Sequence, residues 1–389
     1  MNRALILDAL QRSALSVTRS LGEHGIPVIT ADEPPSALAG SSRYSEKYFS
    51  YPSPQTQPEE FISALAEIIQ QQKIDIIFPM TELTSGLVIQ HKNRLHDVAI
   101  PFAKKETVDL IADKSSLMQM ADTMGIPFPQ TWYVKKASEL PVNIDDLSYP
   151  IVLKPAKSWI VENGRWIHTT VRFADTPQTA KTILQSYVEF QNHPFMIQAC
   201  VPGNGQGVFA LYDQGKALAF FAHRRIREKP PRGGVSVLSE SITPAPALLA
   251  DAKALLDKAN WHGIAMVEFR VDGDKHYLME INTRFWGSLQ LAIDAGVDFP
   301  YMLYLLSSGQ QPAAIKKYRT GKRLRWLLGD IDHLYLTLKD KHFSSANKLR
   351  AVGRFLTPSP FKTRHEVNRL DDLGPFIFEM KRYLKDLIS

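Results

Sequence analysis

A chain of 389 residues that is 44% hydrophobic and 22% charged has ordinary globular composition, and it is long enough to bury a core without a disulfide or structural metal. The single cysteine, Cys200, excludes a disulfide framework, a four-Cys zinc site and a redox pair. The net charge of +6 is uneven: residues 301–389 hold 17 Lys or Arg against 8 Asp or Glu, a net +9 that leaves −3 for the first 300.

The first 110 residues alternate strand and helix. Ala4–Ala9 is a short apolar run, Ser13–His24 reads as a helix, and Ile26–Ile29 as a second strand. Glu59–Gln72 is a periodic helix (Phe61, Leu65, Ile68, Ile69), and Ile74–Phe78 a third strand. That alternation predicts a parallel sheet with helices on both faces. The turn after the first strand, Asp8 to Ser13, holds no glycine, so a nicotinamide pyrophosphate could not approach its backbone there. The opening residues show no cleavage-type signal segment, and no apolar run reaches about 18 residues, so a cytoplasmic protein without a membrane helix is expected.

A helix is predicted from Lys114 to Met124, stopped by Gly125 and Pro127. Ile151–Pro155 is a short buried strand ending in Lys154-Pro155; Pro177–Phe190 reads as a helix and Phe195–Cys200 as a strand. Two strands flank the turn Asp213–Lys216. Pro244–Asn260 is a helix, and His262–Arg270 with Lys275–Asn282 forms a strand pair across Asp272-Gly273-Asp274. Helices begin near Gly287 and Phe299. Beyond residue 310 the chain is basic and helical in pieces, interrupted at Pro358-Ser359-Pro360.

The strand pair carries the chemistry. Residues two apart on a strand share a face, so Glu280 and Asn282 point together while Met279 and Ile281 face the other way. The turn brings Glu268 alongside. Two carboxylates and an amide oxygen suit magnesium, which takes one or two carboxylates plus substrate phosphates; solvated residues at a strand edge are the alternative. Arg284 follows at the same two-residue step, where a guanidinium suits a transferring phosphoryl group. Lys154 leaves an apolar strand, and its head must find an anion or water. Lys114 opens a helix, whose N-terminus attracts anions. Arg224 to Lys229 alternates like a strand and leads into the loop Arg232-Gly233-Gly234. Convergent Arg224, Arg225 and Arg232 beside bare glycine backbone suggest a small carboxylate or phosphate substrate, with Arg227 and Lys229 equally readable as solvated. The patch is short and lacks interleaved aromatics, so nucleic acid is not expected.

In order, a helix-opening Lys114, Gly125-Ile-Pro-Phe-Pro129, Pro150-Ile-Val-Leu-Lys-Pro155, Ile197-Gln-x-x-Val-Pro-Gly203, Glu268 and Glu280-Ile-Asn-x-Arg284 resemble the ATP-grasp superfamily of carboxylate-amine ligases, in the branch similar to the carbamoyl-phosphate synthase large subunit. The likeness spans roughly residues 1–310. It implies an α/β Rossmann-like pre-ATP-grasp domain over 1–112 and an α+β ATP-grasp domain over 113–310. Within the latter it implies a small lid subdomain at about 130–200 and a metal-binding subdomain at about 201–310. A basic, mostly helical extension over 311–389 would follow, read as an appendage packed on this core.

The resemblance further implies ATP held by Lys114 and Lys154 at its phosphates and by Gln198, Ala199, Cys200 and Val201 along the adenine edge. Glu268, Glu280 and Asn282 would hold one or two Mg2+, with Mn2+ as a substitute, and Arg284 would steady the γ-phosphate. The reaction implied joins a small carboxylic acid to an amine through an acyl phosphate, releasing ADP and phosphate, under a lid formed by the loop after Lys154; a homodimer is compatible. Three positions depart from the family: Ala199 stands where Glu is frequent, Asn204 where an acidic residue follows Pro-Gly, and Ala156–Ile160 is poor in glycine. Weaker nucleotide affinity is the expected consequence, and a non-catalytic ATP-binding regulator is the alternative.

Overall fold

The computed structural model describes residues 2–231, 233–341, 343–356 and 362–388. Its N-terminal part is a four-stranded sheet in the order Ser45–Ser50, Val28–Asp32, Ala4–Ile6, Ile76–Phe78, every pair parallel. Alternation along the first strand puts Ala4 and Ile6 into one core and Leu5 and Leu7 into another, so both faces are covered. Ser45–Ser50, Ser-Glu-Lys-Tyr-Phe-Ser, is an edge strand not expected from sequence. Its charges face solvent and only Tyr48 and Phe49 touch the cores, so no apolar run announces it.

The glycine-free turn has a structural role. Asp8 adopts φ 53°, and its carboxylate accepts from Met80 N (2.8 Å), Thr81 N (2.9 Å) and Thr84 Oγ1 (2.6 Å). This ties the first strand to the start of the helix Glu82–Gln90. Burial raises the carboxyl's proton affinity, and the three donors oppose it. Asp8→Ala strands those donors and removes the side-chain hydrogen bonds that favour Asp over Ala at a left-handed position, so a loss of about 3 kcal/mol is expected in urea unfolding; a loss below about 1 kcal/mol would refute this role.

The central part holds two sheets. One is antiparallel, in the order Thr131–Val134, Phe195–Ala199, Ile151–Pro155, Arg172–Ala174. Its helical layer departs from expectation: Pro177–Phe190 is broken into Pro177–Ser186 and Val188–Gln191. Tyr187 between them is extended, and its ring lies 3.1 Å from the Arg172 guanidinium. The loop after Lys154 contains a hairpin, Trp159–Glu162 with Arg165–His168, turned by Asn163 and Gly164 at φ 51° and 74°.

The other sheet has seven strands, in the order Lys275–Asn282, Gly263–Asp272, Asn204–Asp213, Lys216–Lys229, Val235–Ser241, Arg323–Arg325, Thr363–His365. Only the last pair is parallel. The C-terminal segment therefore corrects the appendage reading, because it supplies two of these strands. Helices Leu327–Lys339, Ser345–Leu356 and Gly374–Ile388 accompany them. The segment contributes one cation and three acids to largely buried pairs with the rest of the chain: Arg369–Asp294 and Arg227–Asp330 at 2.6 Å, Arg19–Asp372 at 2.8 Å, and Arg12–Glu366. The expected interruption at Pro358–Pro360 lies outside the described residues, and no described helix is long and apolar enough to cross a membrane.

Candidate active site

The two acidic strands meet as the alternation requires. Their register sets Glu268 opposite Glu280 and Met266 opposite Asn282, with Gly273 at φ 58° closing the turn. Glu280 Oε2 lies 3.9 Å from Lys154 Nζ and 4.0 Å from Lys114 Nζ. Asn282 Nδ2 lies 3.4 Å from Glu280 Oε1. Glu268 Oε2 accepts from Arg225 Nη2 at 2.6 Å. Lys154, 5% exposed, donates to the Met279 carbonyl at 2.7 Å, and Lys114 donates to Ser158 Oγ at 3.0 Å. Lys114 is the first residue of the helix Lys114–Thr123, capped by Asp113 through Ser116 N.

The electrostatics separate the two carboxylates. Burial pushes Glu280 up, but Lys154, Lys114, Arg225 and Arg284 outweigh it and hold it down at about 2. Burial also pushes Glu268 up, and the neighbouring Glu280 adds to that against Arg225, so its proton affinity ends raised. Burial lowers the Lys154 ammonium's proton affinity, and Glu280 works against the shift.

A cavity of about 470 Å3 is lined by Lys154, Glu268, Glu280, Asn282 and Arg284. Val152, Phe173 and the linker Gln198–Val201 line it as well, and so do Arg12, Arg225, Gly233, Gly234 and Trp286. Arg284 is also steered from the N-terminal part, with Nη2 3.9 Å from Glu82. Ala199 N is already given to the Gln130 carbonyl, and the Gln198 side chain to Thr131 Oγ1. What the linker offers a ligand is therefore the Cys200–Val201 stretch. Val171 and Phe173 are apolar side chains left 39% and 49% exposed beside it, a surface for a flat ring to cover.

The predicted substrate residues divide. Arg225 enters the cavity, but Glu268 and Glu228 hold its guanidinium. Arg224, one residue earlier, faces the other way and binds Glu240 through Nε (2.9 Å) and Nη2 (2.5 Å), so the structure does not bring it to the site. Strand alternation is the reason. Gly233 and Gly234 line the cavity. A Cβ on Gly234 would lie 2.2 Å from the Lys229 carbonyl, so that glycine also closes its own turn. Arg232 lies outside the described residues. Sequence reasoning missed Arg12, Val171, Phe173 and Trp286. Arg12 could not be found, because it meets the neighbourhood of Gly287 only through the tertiary fold, far away in sequence.

Among the described residues no group of three or more His, Cys, Asp and Glu is placed to hold a metal. The donor set is two carboxylates and an amide, which suits a hard cation sharing its sphere with phosphates rather than one held by protein alone. Lys114, Lys154, Arg225 and Arg284 face Glu268 and Glu280 here, while Glu228 pairs with Arg225 and Glu82 lies near Arg284, so cations and carboxylates balance across the cluster.

Comparison with known proteins points the same way. Residues 191–329 match the family described as ATP-grasp in the biosynthetic pathway with Ter operon. Among curated relatives, the methylcrotonoyl-CoA carboxylase subunit alpha of Glycine max is 25% identical over 45% of this chain and 25% of that protein. The carbamoyl phosphate synthase large chain of Clostridium acetobutylicum is 19% identical over 58% of this chain and 21% of that protein. The chain thus matches about a quarter of the length of these relatives. Among solved structures, biotin carboxylase from Campylobacter jejuni has a TM-score of 0.65 at 16% identity, covering 83% of this chain and 74% of that one. L-amino acid ligase from Bacillus licheniformis has a TM-score of 0.63 at 14% identity, covering 83% and 78%.

Proposed function

Starting from the ATP-grasp fold that this chain carries, we propose that it is an ATP-dependent ligase joining a small carboxylic acid to an amine. One observation carries the reading: Lys154, Glu268, Glu280, Asn282 and Arg284 line one cavity, and Lys114 Nζ lies 4.0 Å from Glu280. Val152, Phe173 and the backbone of Cys200–Val201 would receive the adenine. Lys114 and Lys154 would bind the phosphates, exchanging part of their attraction to Glu280 for the stronger charge of the nucleotide. Glu268, Glu280 and Asn282 would hold Mg2+ or Mn2+, which supplies charge neutralisation at the β- and γ-phosphates.

Arg284, which lines the cavity 3.9 Å from Glu82, would steady the transferring phosphoryl group. An oxygen of the substrate carboxylate attacks the γ-phosphorus and the bond to ADP breaks. The amine then attacks the acyl carbon, phosphate leaves with the bonding pair, and the amine proton passes to solvent or phosphate. The hairpin Trp159–His168 would exclude water from the acyl phosphate.

Ala199 and Asn204 favour a second reading, a nucleotide-binding regulator without catalysis. An ADP-release screen over amino acids, dicarboxylates and sugar acids with amine acceptors separates the two. ADP release that needs both acid and amine is expected; nucleotide binding with no release under any pair would favour the regulator.

A further inference from the structure

A second cavity, of about 530 Å3, adjoins the first. Arg12 and Val235 line both, so the two share a wall. Three separate parts of the chain build it: Leu10 and Leu38 from the N-terminal sheet, Trp326 and Leu328 from the start of a C-terminal helix, and Phe378 and Leu387 from the last helix. The family match ends at residue 329, so most of the C-terminal wall belongs to this chain's own extension.

The chemistry of the lining defines the occupant. Several of the charged groups that line it are engaged with one another: Lys229 pairs with Asp332, Tyr383 donates to Asp332 at 2.6 Å, Trp326 Nε1 donates to Glu379 at 2.8 Å, and Arg382 lies 4.0 Å from Asp386. Beside them Leu10, Leu38, Trp326, Leu328, Phe378 and Leu387 offer a ligand an aliphatic and aromatic floor. The shared wall is cationic by contrast. Arg12 is fixed by Glu366 and lies 4.0 Å over the Trp326 ring. Its Nη2 would be 3.0 Å from a Cβ on Gly287, so it lies against bare backbone in the wall that the cavities share. Arg225 and Arg284 also line the first cavity. An anionic head at these arginines with an apolar arm behind it fits both halves.

We infer that the second cavity takes the apolar arm of the acid substrate, while its carboxylate lies in the first cavity for activation. The inference rests on the ligase reading and names its substrate class: carboxylic acids with an aliphatic or aryl chain of several carbons.

The test uses the full chain with Mg2+-ATP and hydroxylamine, which traps an acyl phosphate as its hydroxamate whatever the natural amine. The acids are acetate, butanoate, hexanoate, octanoate and 3-phenylpropanoate. From acetate to hexanoate, kcat/KM is expected to rise about tenfold for every two methylenes. Leu328→Phe, which narrows the cavity, should lower the octanoate value at least tenfold more than the acetate value. Leu387, 67% exposed, gives a second variant, Leu387→Trp, that does not endanger the fold and should act in the same direction. Hydroxamate formation without chain-length dependence would overturn the inference and leave the ligase reading intact. The same acids are assayed for protection against thermal unfolding with a non-hydrolysable ATP analogue. Length-dependent protection without hydroxamate would remove the ligase reading and support the cavity assignment. Neither effect would overturn both.

Discussion

Glu280→Gln is expected to lower ADP release by about 10²–10³-fold or more while the protein stays folded. The substitution keeps the side chain's shape and removes its charge. Lys154 retains the Met279 carbonyl and Lys114 retains Ser158 Oγ, so neither ammonium is left without an acceptor. Stability should fall by about 1–3 kcal/mol at neutral pH, an upper figure because the carboxylate is 29% exposed. The sign follows from linkage. A carboxyl held at about 2 stabilises the fold above its ordinary value near 4.5, and that contribution is lost as pH falls toward 2. The Tm gap between parent and variant should therefore close over that window.

Nucleotide binding adds a sharper mark. The variant raises the cluster charge by one, so ADP without metal should bind at least as tightly as to the parent, while added Mg2+ should no longer strengthen it. Full Mg2+-dependent turnover in Glu280→Gln would remove the metal assignment.

Glu280 and Asn282 were legible because period-two alternation and a turn at Asp272–Asp274 suffice to place them; no distant contact is needed. The same local logic covers the Lys154 strand and the helix opened by Lys114. The hairpin Trp159–His168 was also within reach, since Asn163-Gly164 between Trp-Ile-Val and Arg-Trp-Ile is a strong hairpin signal, but the run read as a glycine-poor loop. Arg224 and Arg225 show where local pattern stops. Alternation says that the two face apart, and only the neighbouring strands decide which one meets Glu268 and which meets Glu240. The last strands are less accessible still. Arg323–Arg325 and Thr363–His365 are three residues long and rich in cations. They are strands because an apolar sheet edge and buried acids elsewhere in the chain receive them, and no spacing within the segment records that.

Truncation after Gly309 is therefore expected to give no cooperatively folded protein, not a folded core of reduced solubility. It removes all four groups bound by the Arg19 guanidinium, namely both the carboxylate and carbonyl of Asp372 and the carbonyls of Glu366 and Val367. It also deprives Asp294 of Arg369 and Arg227 of Asp330, and it bares the strand Val235–Ser241 as a new sheet edge. Water reaching the freed charges would soften their individual penalties, so the exposed edge and the uncovered apolar groups around Leu324 and Val367 carry much of the loss. Asp372→Ala isolates the charge effect with the cover still in place. Asp372 accepts from Arg19 Nε at 2.8 Å, Ser42 Oγ at 2.8 Å and Arg43 N at 2.9 Å. Removing it leaves a buried guanidinium short of its counter-ion, and about 3–5 kcal/mol should be lost in urea unfolding. Against a total of about 5–15 kcal/mol that is a large fraction from one residue far from the active site. A truncated chain that melts cooperatively and still binds ATP would show that the C-terminal segment is dispensable to the fold, and an Asp372→Ala loss under 1 kcal/mol would show that Arg19 does not depend on its partner.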